Sequence, residues 1–210
     1  MSKDKEILVE LTVNELDKTG IDVISFVEDP AIDIDFMFFN KASIENFSAI
    51  DNDKRIVVGA AMIPNQKITR LDASDEEYSV YFTEDTIRQC QELFHKRGNT
   101  KRTNINHNTN SIAKGVTVIE SWIVENPSMD KSKHLGYKDI PRGSWFVSYK
   151  VDDNALWEKV KAREVKGFSV EGLFKQEVKD EPTIEEKMKA IVNSCSSDFD
   201  KLLALRKLNF

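Results

Sequence analysis

Short runs of β-branched and aromatic residues, each bounded by turn formers, recur along this chain and dictate a fold built mainly from strands. They cover residues 5–11, 21–28 (IDVISFVE), 55–62 (RIVVGAAM), 78–82 (YSVYF), 115–124 (GVTVIESWIV), 144–151 (SWFVSYKV) and a last run from Val165 to about Gln176. Side chains branched at Cβ are stiff at χ1 and pack well on a pleated surface, so such runs favour strands over helices. A further apolar run lies at 36–39, and 43–54 reads as loop-like. One strong helix interrupts the pattern. Thr83 can cap it, Glu84 and Asp85 suit its positive end, Ile87, Cys90, Leu93 and Phe94 form a buried stripe, and Gly98 is a natural stop. A shorter helix follows Asp152 or Asp153 and carries Leu156, Trp157 and Val160. The expected class is therefore α+β, with strands dominant.

The last thirty residues change character. Pro182 opens an amphipathic pattern (Ile184, Met188, Ile191), and Phe199, Leu202, Leu203 and Leu205 suggest a second. We divide the chain into a main domain, 1–178, and a helical tail, 179–210. A length of 210 residues suits one compact domain with such an appendage.

Charge and cysteine content narrow the function. The formal net charge is -6, which repels phosphate backbones, so nucleic acid is not an expected partner. The one cationic cluster, KRGNTKR at 96–102, ends the strong helix, where positive side chains meet the negative end of the helix dipole. Cys90 and Cys195 stand far apart in helical patterns, which gives no disulfide framework and fits a reducing cytoplasm. No run reaches membrane-spanning length, and the first residues show no leader-like pattern, so neither membrane nor export is expected. HExxH, GxxxxGK[ST] and GxGxxG are all missing, so no metal or nucleotide cofactor is expected.

Nucleophilic chemistry remains. A serine hydroxyl needs a base to take its proton, and the chain has three histidines. His95 reads as a helix-end cation and His134 as part of a polar loop. His107 sits among asparagines (NINHN) at the edge of a strand-like segment. In GFSVEG and the residues after it, period-two alternation puts Phe168, Val170 and Phe174 on one face and Gly167, Ser169 and Glu171 on the other. Taken alone, that motif describes a half-exposed strand serine, since the GxSxG elbow is absent.

The run GSWFVSYKVDDNALWEKVKAREVKGFSVEGLF resembles the end of the XkdF-like phage serine proteases, within the wider group of phage prohead proteases. Upstream, GIDVISFVEDPAIDIDFMFF, MIPNQKITR, YSVYFTEDTIRQCQELF, NINHN and VIESWIVENP follow in the order those proteins show, so the likeness spans roughly residues 18–176. It implies a mostly antiparallel β-barrel core with surrounding helices, similar to herpesvirus assemblin, with Ser169 as nucleophile and His107 as base. In ordinary prohead proteases the segment resembling ISFVEDPA follows the serine, whereas here it comes first, an order that looks circularly permuted. On that alignment Val23 falls where the family has an acid. Glu120, which breaks the apolar run VTVIESWIV, is the favoured third member, with Asp22 and Glu171 as alternatives. Arg142 or main-chain amides would face the oxyanion.

The resemblance further implies capsid and scaffold proteins as substrates, and a site of action in the host cytoplasm inside the assembling procapsid. Self-cleavage near 177–195 and a homo-oligomer are compatible with it. An inactive assembly protein of the same fold is the rival reading.

Overall fold

The computed structural model describes residues 7–30, 37–38, 54–109 and 112–179, together with 188–189, 191–192, 201–202 and 205–206 of the tail. Most of the stretches expected at 36–39 and 43–54 lie outside these residues, as do Cys195, Ile184, Phe199 and Leu203. In chain order the strands are β1 (Leu8–Thr12), β2 (Gly20–Val27), β3 (Met37–Phe38), β4 (Ile56–Met62), β5 (Ile68–Leu71) and β6 (Glu77–Tyr81). Helix α1 (Glu84–Lys96) and a short 3-10 turn (Asn99–Lys101) lead to β7 (Val116–Ile123), α2 (Lys131–His134), β8 (Trp145–Val151), α3 (Asn154–Lys161), β9 (Gly167–Leu173) and β10 (Lys175–Lys179). The fold is α+β with strands in the majority.

The helices form where capping and apolar spacing predict. Thr83 accepts a hydrogen bond from Thr86 N at the start of α1, and Ile87, Cys90, Leu93 and Phe94 are buried. Asp153 caps α3 through Leu156 N, which turns Leu156, Trp157 and Val160 into the core. Helix α2 and strand β5 were not expected. The first is a single turn nucleated by Asp130 accepting from Ser132 N, and the second (ITRL) is short and largely exposed, so neither leaves an apolar periodicity.

Among the described residues the strands make three sheets, ordered β10-β1-β6-β5, β2-β9 and β3-β4-β8-β7, with no closed barrel. All pairings are antiparallel except β1 with β6. The β-barrel core that the resemblance implies is not seen as a closed barrel among these residues: at Phe174 the chain leaves β9 and joins β1 as β10, in a different sheet. Among the described strands β9 thus keeps β2 as its one ladder partner.

The core lies behind the β2–β9 pair. Phe26 stands opposite Phe168, and their rings meet edge-on with centroids 5.2 Å apart. Tyr149 of β8 closes the cluster, 5.3 Å from Phe26 and 5.2 Å from Phe168. Each of these fully buried rings contributes about 2 kcal/mol through the water it excludes. Because strand side chains alternate, anchoring Phe26 and Phe168 inward turns their neighbours Ser25 and Ser169 to the other face. Helix α1 and the turn after it brace β2: Arg97 donates to Thr19 O (2.8 Å) and buried Asn99 to Ile21 O (3.1 Å).

Candidate active site

Two strands and one turn assemble a polar cluster on that other face. Strand β2 supplies Ser25 and β9 supplies Ser169 and Glu171, in a register that sets Ser25 opposite Ser169 and Val23 opposite Glu171. A bulge at Asp22 sets this register, since Ile21 pairs with Gly172 but the next pair is Val23 with Glu171. Gly172 permits the close approach there: a Cβ at that position would lie 2.0 Å from Gly20 O.

The NINHN segment docks along the far side of β2. Phe26 N donates to Asn104 O (3.0 Å) and Asn106 N to Phe26 O (2.9 Å), a parallel bridge centred on Ile105. Asn106 and His107 then both adopt left-handed backbone, φ 51° and 57°, and Asn108 N closes the turn on Ile105 O. A non-glycine residue pays about 1–2 kcal/mol for that conformation. Asn106 offsets part of this cost by accepting from Glu28 N (3.0 Å) and donating to Glu28 Oε1 (2.7 Å). The asparagines around the histidine are thus the fasteners of a turn that folds His107 back over β2.

Glu171 is the hub of the cluster. Its Oε1 lies 2.9 Å from His107 Nδ1 and accepts from Asn104 Nδ2 (2.8 Å) and from Ser25 Oγ. Ser25 Oγ is also 3.4 Å from His107 Nδ1. Burial pushes the Glu171 carboxyl up, but the hydrogen bonds from Ser25, Asn104 and His107 together outweigh it and hold the group below the usual carboxylate range. An ionised carboxylate only accepts, so Nδ1 is the donor in this contact, and the neutral ring then presents its lone pair at Nε2. Ser25 is fully buried and Asn104 is 4% exposed, while the side chains of Glu171 and His107 are 27% and 45% exposed. The Asn104 amide cannot flip without setting two acceptors against each other. Its Oδ1 is left as a buried side-chain acceptor with no partner among the described residues.

The residues singled out from sequence are distributed as follows. His107, Ser169 and Glu171 meet on one face. Ser169 is partly exposed and borders a cavity, and no hydrogen bond joins it to His107. Glu120, on β7, is engaged elsewhere: it accepts from Lys131 Nζ (2.5 Å) and buried Ser148 Oγ (2.8 Å), and these two bonds lower its pKa. Asp22, at the bulge, lies 3.9 Å from Arg97. Arg142 pairs with Glu84 (3.1 Å) and Glu125 (3.8 Å). His95 ends α1, where burial lowers its pKa, and His134 sits 3.2 Å from Asp130 O. Cys90 is a buried thiol pushed up to about 12 by that burial, which makes it unreactive. No group of metal-ligating side chains occurs among the described residues, and no described helix is long and apolar enough to cross a membrane.

Sequence reasoning missed Ser25 and Asn104. Ser25 hides in an apolar run, and only its pairing with Ser169 reveals that it faces the site. Asn104 was visible as part of NINHN, but nothing in the sequence says which carboxylate it would hold.

No curated protein and no solved structure matches the chain. A family model described as "Putative phage serine protease XkdF" matches residues 43–177, a span that contains His107, Ser169 and Glu171 and leaves Ser25 outside. With almost two thirds of its length inside that match, the chain belongs to the XkdF family of phage serine proteases.

Proposed function

We propose that this protein is a prohead maturation protease, cleaving scaffold or capsid protein and its own tail within an assembling procapsid in the host cytoplasm. The observation that carries the reading is the hydrogen bond between Glu171 and His107 Nδ1, made on the strand that bears Ser169. It leaves Nε2 as the basic nitrogen, as an acid–imidazole–serine relay requires. Opposed residues in an antiparallel pair project to the same face with Cβ atoms about 5 Å apart. Ser169 therefore shares the face of Ser25, whose hydroxyl is already beside the imidazole.

In the proposed reaction Ser169 Oγ bonds to the substrate carbonyl carbon while its proton passes to His107 Nε2. The C–N bond then breaks and Nε2 returns the proton to the leaving amine. Water, deprotonated by the same nitrogen, then bonds to the acyl carbon, and the ester bond to Ser169 Oγ breaks as Nε2 returns the proton to that oxygen. Glu171 stabilises the imidazolium formed in between, and Ser25 and Asn104 are positioning residues that hold Glu171. Main-chain amides near Ser169 would bind the oxyanion.

The strand order supports the assemblin-like, circularly permuted reading. The segment that follows the serine strand in ordinary prohead proteases here precedes it, as β2, and is still its antiparallel neighbour. Val23, at the aligned acid position, stands opposite Glu171, so the carboxylate is displaced by one step across the ladder.

Two observations favour other readings. Ser25 Oγ, not Ser169 Oγ, is the hydroxyl nearest the imidazole, which would make Ser25 the nucleophile, but it is wholly buried and already donates to Glu171. The lack of a Ser169–His107 hydrogen bond also suits an inactive assembly protein of the same fold. Co-expression with the cognate capsid and scaffold proteins tests all three: processing lost in Ser169→Ala and His107→Ala, with folding intact, supports the proposal. Processing unchanged in both variants overturns it.

A further inference from the structure

We infer that the cavity alongside β9 binds an extended peptide that carries a bulky apolar side chain close to its scissile bond. This deepens the peptidase reading and rests on it. The cavity, about 510 Å³, is bordered by every residue from Phe168 to Phe174, so it runs along the strand itself rather than under one of its faces. Strand β9 has β2 as its one ladder partner among the described strands. Among the described residues no ladder covers the second edge from Ser169 to Leu173, and such an edge offers main-chain donors and acceptors to an incoming extended chain, the usual basis of recognition by strand addition.

The walls opposite are apolar. Leu11, Met62, Ile68, Tyr78 and Phe82 come from β1, β4, β5, β6 and the turn before α1, and Phe82 meets Phe174 edge-on at 5.0 Å to close the cavity. Gln66, Arg70 and Gln176 are the polar members of the lining opposite β9. A volume of this size holds more than one side chain, and an unpaired charge against these walls would lose its hydration without compensation. Ser169 and Glu171 border the same cavity, so a side chain seated there belongs to a residue within a few positions of the one being attacked.

Digestion of a proteome-derived peptide mixture by the full-length protein, read by mass spectrometry, tests the inference. The expected result is Phe, Leu, Met or Tyr enriched at least tenfold at one fixed position from the cleaved bond. Ile68→Lys should reduce that enrichment at least tenfold. Thr69→Lys, at the neighbouring position of β5 outside the lining, should leave it unchanged. Cleavage with no apolar preference, or a preference untouched by Ile68→Lys, overturns the groove and leaves the peptidase reading standing. If nothing is cleaved, the peptidase reading fails, and binding to Ser169→Ala by fluorescence anisotropy decides the groove separately. Tenfold tighter binding of a peptide with alternating Phe and Leu than of its Ser and Asp counterpart supports the groove, and equal or absent binding overturns it.

Discussion

Ser25 and Ser169 stand opposite each other in the β2–β9 ladder, yet Ser25 alone is hydrogen-bonded into the Glu171–His107 cluster. On the proposed mechanism the pair separates two tasks: the buried hydroxyl orients the carboxylate, and the partly exposed one is presented to substrate. Removing each should have a different signature. Ser169→Ala should lower turnover by about 10⁴-fold or more, as loss of a nucleophile does. Ser25→Ala should lower it about 10–100-fold, the loss of one hydrogen bond to a charged group. Turnover on a fluorogenic peptide measures both, and the reverse order would make Ser25 the nucleophile.

The same comparison applies to the carboxylates. Glu171→Gln should cost about 10⁴-fold in kcat, because an amide no longer enforces the productive imidazole tautomer. Glu120→Gln removes the acceptor of Lys131 and Ser148, remote from His107's bonds, and should leave kcat within about twofold. A collapse of activity in Glu120→Gln with Glu171→Gln near wild type would invert the assignment.

Acid should erode the part of stability that Glu171 supplies. Its folded-state pKa is depressed, so its contribution is complete above the unfolded value, about 4.3, and is lost as pH falls through the folded-state value. The melting-temperature gap between wild type and Glu171→Gln should be widest above about pH 5 and close below it. A gap that grows on acidification would contradict the hydrogen-bond pattern around this carboxylate.

Gly172→Ala probes the seam that sets the register. Its new methyl would strike Gly20 O and Ile21 Cα, both backbone atoms that cannot rotate away. We expect a loss of about 1–3 kcal/mol, read from the urea midpoint, with activity falling as the bulge shifts. Wild-type stability would mean that β2 and β9 lie farther apart there.

Much of the architecture was legible before any coordinates. Runs of β-branched and aromatic residues identified β2, β4, β6, β7 and β8 to within a residue or two and β9 to within about three, and the Thr83 cap with its apolar stripe identified α1, because local sterics and capping decide those features. Alternation also put Ser169 and Glu171 on one face. The short exposed strand β5 and the single-turn α2 carry no such periodicity and escaped notice. The expected barrel core is not closed among the described residues, because at Phe174 the chain changes sheet, a step that depends on what β1 offers as a partner.

From the sequence alone came the candidate hydroxyl and imidazole, the strand that bears Ser169, and three carboxylates that could serve them. Only tertiary structure sets Glu171 beside His107 and joins Ser25 and Asn104 to it. The reason is register. Side chains alternate with a period of two, so the bulge at Asp22, with the glycine contact beside it, decides whether Ser25 meets Glu171 or turns into the core, and that pairing joins residues 146 apart in the chain.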